Sequence, residues 1–340
     1  MKLRALQDLE RGAGRALLDA TVAIGFSEPV ARAGLNAELE TWTDDAFSLV
    51  RSELPDDLKP ARRPQTVLII AASTLPASTL RAVLMARLLG ARVLLKPASG
   101  QAAIADAIAL ADPDVQVRAF ASTDLESLDR AIADADSVVA LGGDRTIQEL
   151  RARVPFAKGF AGYGHRLSVA WLSRFDEADA VKLARDLCAW DQAGCLSPQV
   201  AWVEGDLDAA SERLAEALRE VERALPMTLP PEAASMRHAM RAFADMSGHA
   251  HITETALVAA LPIPSFRPSP GFRALWMLPA DDASIRSIAS MISTIGTDAP
   301  ARCEFMPAGI RRCELGDMQR PPLTWQHDGR PNLLPMLRPY

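Results

Sequence analysis

Thr66-Val-Leu-Ile-Ile-Ala71 is a short apolar run rich in β-branched residues. It is followed by Leu80, Val83, Leu84 and Leu88 at helical spacing, then by a second apolar run, Arg92-Val-Leu-Leu95. A continuous apolar run reads as a strand buried on both faces, and strand–helix–strand at this spacing predicts a βαβ crossover. The alternation continues outward: helix over Gln101–Ala111, strand over Val115–Phe120, helix over Leu125–Ala133, strand over Ser137–Leu141 and helix over Thr146–Arg153. A strand over Ser168–Leu172 and a helix over Glu177–Trp190 follow. Strands separated by helices of this length predict an α/β fold with a parallel sheet covered on both faces.

Past Cys195 the pattern restarts. Gln199–Val203 reads as a strand, and Leu214, Leu218, Val221 and Leu225 mark one face of a helix that Asp206 is placed to cap. A Pro-rich connection over Leu261–Pro270 leads to a strand over Arg273–Leu278 and a helix over Ala283–Ile295, and the tail from Pro300 reads as irregular. At the other end, Met1 to Gly14 reads as a charged amphipathic helix, and Pro55 to Pro64 as a linker. The 340 residues exceed one ordinary core, so two domains are expected. The reading divides the chain into an N-terminal helical segment (1–60), a nucleotide-binding domain (61–193), a catalytic domain (194–315) and a C-terminal tail (316–340).

About half the residues are apolar and a quarter charged, as in globular proteins. The net charge of −6 argues against nucleic acid as a partner. No apolar run reaches the length of a membrane span, and the start lacks a signal-peptide core, so a cytoplasmic protein is expected. Cys188, Cys195, Cys303 and Cys313 form no CxxC pair and read as thiols.

Three stretches could carry chemistry. Leu141-Gly-Gly-Asp-Arg-Thr-Ile147 follows a strand and opens a helix. Gly142 and Gly143 would let backbone amides approach an anion such as a pyrophosphate. The same residues also read as a plain βα turn capped by Asp144 or Thr146. Leu94-Leu-Lys-Pro-Ala-Ser99 closes a strand with Lys96 and no carboxylate, where dinucleotide folds that bind ribose hydroxyls carry an acid. A solvated lysine is the plain alternative. Asp191-Gln-Ala-Gly-Cys195-Leu-Ser-Pro198 places a thiol after a glycine and before a helix-ending proline, on a loop where functional residues gather. A small buried hydrophobe is the ordinary reading of a cysteine, and it stands for Cys188, Cys303 and Cys313. Gly248-His-Ala-His251 lacks further ligands nearby in sequence, so no metal is expected. No GxSxG is present.

Together these stretches resemble the aldehyde dehydrogenase superfamily, and more closely its acyl-CoA reductase (LuxC-like) branch, from about Thr66 to Arg330. Thr66–Ser99 resembles the first βαβ unit, whose second strand ends in Lys-Pro-Ala at the adenosine ribose. Leu141–Leu150 resembles the turn beside the pyrophosphate. Asp191–Gln199 is similar to the branch's Asp-Gln-x-Gly-Cys-Leu-Ser-Pro block, and Met318-Gln-Arg-Pro-Pro-Leu-Thr-Trp-Gln-His-Asp-Gly329 to its C-terminal signature. The resemblance implies two Rossmann-like parallel-sheet domains with the active site between them, and a homo-oligomer. It implies reduction of an acyl thioester, on coenzyme A or an acyl carrier protein, to an aldehyde. Cys195 is the implied nucleophile. Lys96, Ser99, Gly142, Gly143, Thr146, Gly164 and His165 are the implied cofactor residues. NADPH is expected over NADH because no acid follows the second strand. The superfamily's oxyanion Asn falls at about Thr74, whose hydroxyl would donate together with the Cys195 amide. The oxidising enzymes' Glu base falls near Ala161, where this chain has no carboxylate. An acyl-phosphate reductase on the same fold, or a silent carrier-binding subunit, remain the alternatives.

Overall fold

The structure is a computed structural model that describes residues 2–299, 303 and 306–339. Met1 and Pro300, which bound two of the segments read above, lie outside the described residues. The chain forms two compact units: Met1–Glu28, Leu35–His165 and Pro322–Tyr340, then Pro29–Gly34 and Arg166–Pro321.

In the first unit, the amphipathic segment read at the start is a 3₁₀ turn over Lys2–Gln7. A bend closed by the Arg11 N–H on the Asp8 carbonyl (3.3 Å) separates it from helix α1 (Gly12–Ala23). Helices α2 (Glu28–Leu39), of which Pro29–Gly34 belongs to the second unit, and α3 (Asp44–Arg51) follow. The buried Glu38 carboxylate then receives the Arg81 guanidinium (2.9–3.2 Å) and the Trp42 indole N–H (3.1 Å). Strands β1 (Thr66–Ile70), β2 (Arg92–Lys96), β3 (Val115–Val117), β4 (Ser137–Leu141) and β5 (Gly159–Tyr163) form one parallel sheet in the order β3-β2-β1-β4-β5. Helices α4 (Pro76–Leu88), α5 (Ala102–Ala111), α6 (Leu125–Asp134) and α7 (Asp144–Arg153) make the crossovers. Leu68, Ile70, Val138 and Ala140 pack on Leu128 and Ile132 of α6 and Leu150 of α7. Lys158, one of five lysines in the chain, donates its ammonium to the carbonyls of Ile132 and Ala133 (2.8 Å each) and of Ala135, closing the end of α6.

The second unit holds a seven-stranded sheet. Its strands are β6 (Leu167–Leu172), β7 (Pro198–Val203), β8 (His249–Ile252), β9 (Leu257–Ala260), β10 (Ala274–Pro279), β11 (Ile292–Thr297) and β12 (Arg311–Glu314), in the order β12-β11-β6-β7-β10-β9-β8. Only the edge pair β8–β9 is antiparallel. Alternate residues of β6 face opposite cores. Ala170 and Leu172 meet Leu183 and Leu187 of α8 (Glu177–Cys188) and Leu214 and Leu218 of α9 (Leu207–Ala224). Val169 and Trp171 share a core with Met240 of α10 (Pro231–Ser247) and Ile285 of α11 (Asp282–Ser287). Asp206 caps α9 as read, accepting the Ala209 N–H at 3.0 Å.

Two readings change. The sequence places β6 and α8 in the first of two domains, with a boundary near 193, but β6 pairs with β7 and β11, and the chain changes unit between His165 and Arg166. Only three residues join β5 to β6, too few for the crossover a parallel neighbour in the same sheet requires. The helix read over Ala283–Ile295 stops at Ser287. A 3₁₀ turn over Ala289–Met291 follows, and the last four residues of the predicted helix begin β11, whose Ile-Ser-Thr-Ile-Gly-Thr sequence is rich in β-branched residues and fully buried. Among the described residues no helix is long and apolar enough to cross a membrane.

Candidate active site

In an open parallel sheet, ligands bind outside the carboxyl ends of the strands, where the strand order reverses. In the first sheet that point lies between β1 and β4. The carboxyl ends of the strands there carry every cofactor residue read from the sequence, and Thr74 as well. Thr74 is exposed on the segment after β1. Lys96 is the last residue of β2; Ser99 follows it, exposed. The Lys96 side chain is buried, with its ammonium 5.8 Å from the centroid of the Phe120 ring, and burial pulls its pKa below the ordinary lysine range. Gln101 ties the two loops together, its amide donating to the Ser73 carbonyl at 2.7 Å.

The turn after β4 resolves the ambiguity of Asp144. Gly143 is the extended N-cap residue of α7, and neither Asp144 nor Thr146 makes a side-chain cap. The Asp144 carboxylate instead accepts the His165 N–H at 2.8 Å, at the end of β5. It fills the space beside Gly164, where a Cβ would meet Asp144 Oδ1 at 2.0 Å. A Cβ on Gly143 would meet nothing within 4 Å, and one on Gly142 only the Thr146 side chain at 3.7–3.8 Å. The protein's own packing therefore does not require these two glycines. The Gly142 N–H is taken by the Tyr163 carbonyl (3.2 Å), so what the two bare Cα atoms leave clear is the approach to the first turn of α7, with the nearby carboxylate engaged elsewhere, which fits a bound pyrophosphate.

In the second unit, α8 ends at Cys188 and the chain turns through three consecutive left-handed residues: Trp190 (φ 52°), Asp191 (φ 50°) and Gln192 (φ 64°). Each costs about 1–2 kcal/mol for a residue with a Cβ, so the turn persists only where its surroundings impose it. The buried Trp190 ring lies against Gly34, where a Cβ would come within 2.2 Å of it. The fully buried Arg273 guanidinium donates to Asp191 Oδ1 at 3.1 and 2.5 Å. Gly194–Ser197 then forms a tight turn, closed by the Ser197 N–H on the Gly194 carbonyl at 3.1 Å, with half-buried Cys195 inside it. Buried side chains hold this turn. Ser168 Oγ donates to the Cys195 carbonyl (2.7 Å), Gln192 Nε2 to the Pro198 carbonyl (2.7 Å) and Gln319 Nε2 to Ser197 Oγ (2.8 Å). Gln319 is placed by Asp186 of α8, whose carboxylate accepts the N–H groups of Gly316 (2.6 Å) and Met318 (3.1 Å).

A family model described as Acyl-CoA reductase (LuxC) matches residues 27–339. The chain belongs to the acyl-CoA reductase (LuxC) family. Long-chain acyl-protein thioester reductase 2 of Photobacterium leiognathi is 30% identical over 108 residues, which are 31% of this chain and 23% of that relative, so the match spans about a quarter of the relative's length. Among solved structures, aldehyde dehydrogenase 21 from Physcomitrella patens has a TM-score of 0.72 at 14% identity, covering 99% of this chain and 82% of that one. An NAD-dependent benzaldehyde dehydrogenase from Corynebacterium glutamicum gives 0.67 at 15%, covering 94% and 81%. An NADP-dependent glyceraldehyde-3-phosphate dehydrogenase from Bacillus halodurans C-125 gives 0.67 at 14%, covering 99% and 84%. The fold of this LuxC-family chain is aldehyde-dehydrogenase-like.

Burial pushes the thiols of Cys188 and Cys313 up to about 12 and that of Cys303 to about 11. His249 and His251 lie on β8, and both Nε2 atoms meet Ser211 Oγ, at 2.9 and 3.1 Å. Among the described residues no group of three or more His, Cys, Asp or Glu side chains gathers to hold a metal. Ser168, Gln192, Asp186 and Gln319 were missed as site residues. Gln192 and Gln319 stand in the two blocks that carried the resemblance, the one signal that could have marked them.

Asp186 makes stability pH-dependent. Burial pushes its carboxyl up to about 7, against the two backbone N–H bonds that favour the charged form. The folded chain thus holds a proton that the unfolded chain releases near pH 4. The contribution is full below pH 4, is lost as pH rises toward 7 and is gone above, with a slope of at most about 1.4 kcal/mol per pH unit. Urea unfolding between pH 4.5 and 8 should show this decline in the native protein and a flatter profile in Asp186→Asn. Parallel profiles would refute the assignment.

Proposed function

We propose that the chain reduces an acyl thioester, carried on coenzyme A or an acyl carrier protein, to an aldehyde at the expense of NADPH, through a covalent acyl-Cys195 intermediate. The observation that carries this is Cys195 itself, a half-buried thiol on a turn held by buried hydrogen bonds, in a chain whose other thiols burial pushes up to about 11 or 12. The Cys195 thiolate attacks the thioester carbonyl, a C–S bond forms to the enzyme, and the carrier leaves as a thiol after taking up a proton. A nicotinamide cofactor, which Lys96 and the Gly142–Thr146 turn would hold, would supply the hydride that reduces the acyl carbon. The resulting Cys195 thiohemiacetal collapses, its C–S bond breaks, and the aldehyde departs as the thiolate is regenerated. The oxyanion role proposed for Thr74 rests on the resemblance alone. Incubating the protein with NADPH and acyl-CoAs of graded length should yield aldehyde and oxidised cofactor in equal amounts. Cofactor oxidation without aldehyde would overturn the reading.

The preference for NADPH is supported by Lys96 and by the absence of a carboxylate in the 97–101 stretch after β2. A charge-assisted contact to a 2′-phosphate is worth roughly 1.5–3 kcal/mol, so Lys96→Ala should raise the KM for NADPH about tenfold or more and leave that for NADH nearly unchanged. Equal changes would remove Lys96 from the phosphate.

A further inference from the structure

We propose that Gln192 is the positioning residue of the nucleophile: its side-chain amide fixes the Cys195 turn to the start of β10 and sets the thiol's attack geometry. This rests on Cys195 as the acylated residue. The chain enters β10 through a second left-handed run, Gly271 (φ 79°), Phe272 (φ 56°) and Arg273 (φ 58°). The two runs face each other and are joined twice. Arg273 holds Asp191, and the neighbouring Gln192 holds Ala274, with Nε2 donating to the Ala274 carbonyl (2.7 Å) and Oε1 accepting the Ala274 N–H (2.8 Å). The same Nε2 donates to the Pro198 carbonyl (2.7 Å). A single buried amide therefore sits at the amino ends of two paired strands, β7 and β10, and closes a ring of chain from Gln192 to Pro198 around Cys195. Both amide protons and the amide oxygen are used, and no other side chain type of that length offers two donors and one acceptor. The residues before Gln192 hold an unfavourable backbone, so loss of this amide frees the turn to relax, and a thiol displaced by about 1 Å can lose on the order of 100-fold in rate.

The test uses the full chain and tetradecanoyl-CoA without cofactor, following the acyl adduct on the Cys195 peptide by rapid quench and mass spectrometry. Gln192→Met keeps the volume of the side chain without its hydrogen bonds. It should acylate about 100-fold more slowly, while half-saturation for tetradecanoyl-CoA shifts less than threefold. Gln192→Glu supplies the signature that a packing role would not give. A carboxylate facing the Pro198 and Ala274 carbonyls repels both, and once protonated it can donate to one. The charged groups beside it, Asp191 and Arg273, are paired with each other. The acylation rate of Gln192→Glu relative to the native protein, measured at each pH, should therefore rise as pH falls. Folded Gln192→Met acylating within threefold of the native rate overturns the proposal. If that variant does not fold, a pH-independent ratio for Gln192→Glu overturns it. A native chain that takes no acyl group on Cys195 overturns the reductase reading, and the proposal with it.

Discussion

Cys195→Ser should still bind NADPH and lose aldehyde formation by on the order of 10⁴-fold or more, the scale seen when a covalent nucleophile is removed. Serine preserves the size of the side chain and the Ser168 bond to the residue 195 carbonyl. The alkoxide, unlike a thiolate, is scarcely available near neutral pH. The matched control is Cys188→Ser. Its thiol is buried at the end of α8 and packs in the core that α8 and α9 share. That variant should keep its turnover and lose about 1–3 kcal/mol of stability, the desolvation cost of a buried hydroxyl left without a partner. Cofactor titration by tryptophan fluorescence, aldehyde production and urea unfolding measure the three quantities. Turnover within tenfold of native in Cys195→Ser would end the covalent mechanism.

Without NADPH, an acyl-CoA should release at most about one equivalent of coenzyme A per chain and leave a stable acyl adduct on the Cys195 peptide. Hydrolysis of that adduct needs a base to activate water, and a positioned base contributes about 10²–10⁴-fold. The stretch where the oxidising relatives' base would fall is β5 and its exit, Gly159-Phe-Ala-Gly-Tyr163 and Gly164-His-Arg166, which contains no carboxylate. The Asp144 carboxylate beside that exit is engaged with the His165 amide. Steady release of free fatty acid over many turnovers would show that a base exists, and would remove the main physical reason for reduction over oxidation.

The first sheet was readable because strands buried on both faces are unbroken apolar runs, as in Thr66–Ile70 and Ser137–Leu141. Strand β5 escaped because two of its five residues are glycine, and β12 because Arg-Arg-Cys-Glu reads as surface. Strand β11 reads as helix in the sequence because Ile285, Ile288, Ile292 and Ile295 recur at spacings of three and four, which period alone cannot tell from a buried strand. In the site, Gly194 and Pro198 place Cys195 on a loop, and only the resemblance of the Asp191–Gln199 block implies its role as nucleophile. The clamp on its turn was not, because Gln192 finds Ala274, and Asp191 finds Arg273, each 82 residues away. Asp186 and Gln319 were hidden in the same way, since their bonds span more than 100 residues.

The first unit is also discontinuous, and this bears on how the chain is made. Its last piece begins at Pro322. That piece brings the Asn332 contacts to Glu53 (2.7 and 2.8 Å), the Arg330 bond to the Gly162 carbonyl (2.8 Å), the stack of His327 on Tyr163 and the Arg338–Arg62 backbone pairing. On the ribosome, the whole of Arg166–Pro321 emerges between β5 and these partners. At about 5–20 residues per second that is on the order of ten seconds. Throughout that interval the nascent five-stranded sheet is translated but unfinished, with Tyr163 and Glu53 waiting for contacts still to be synthesised. The second unit, contiguous but for one short helical piece made earlier, has its sequence complete first.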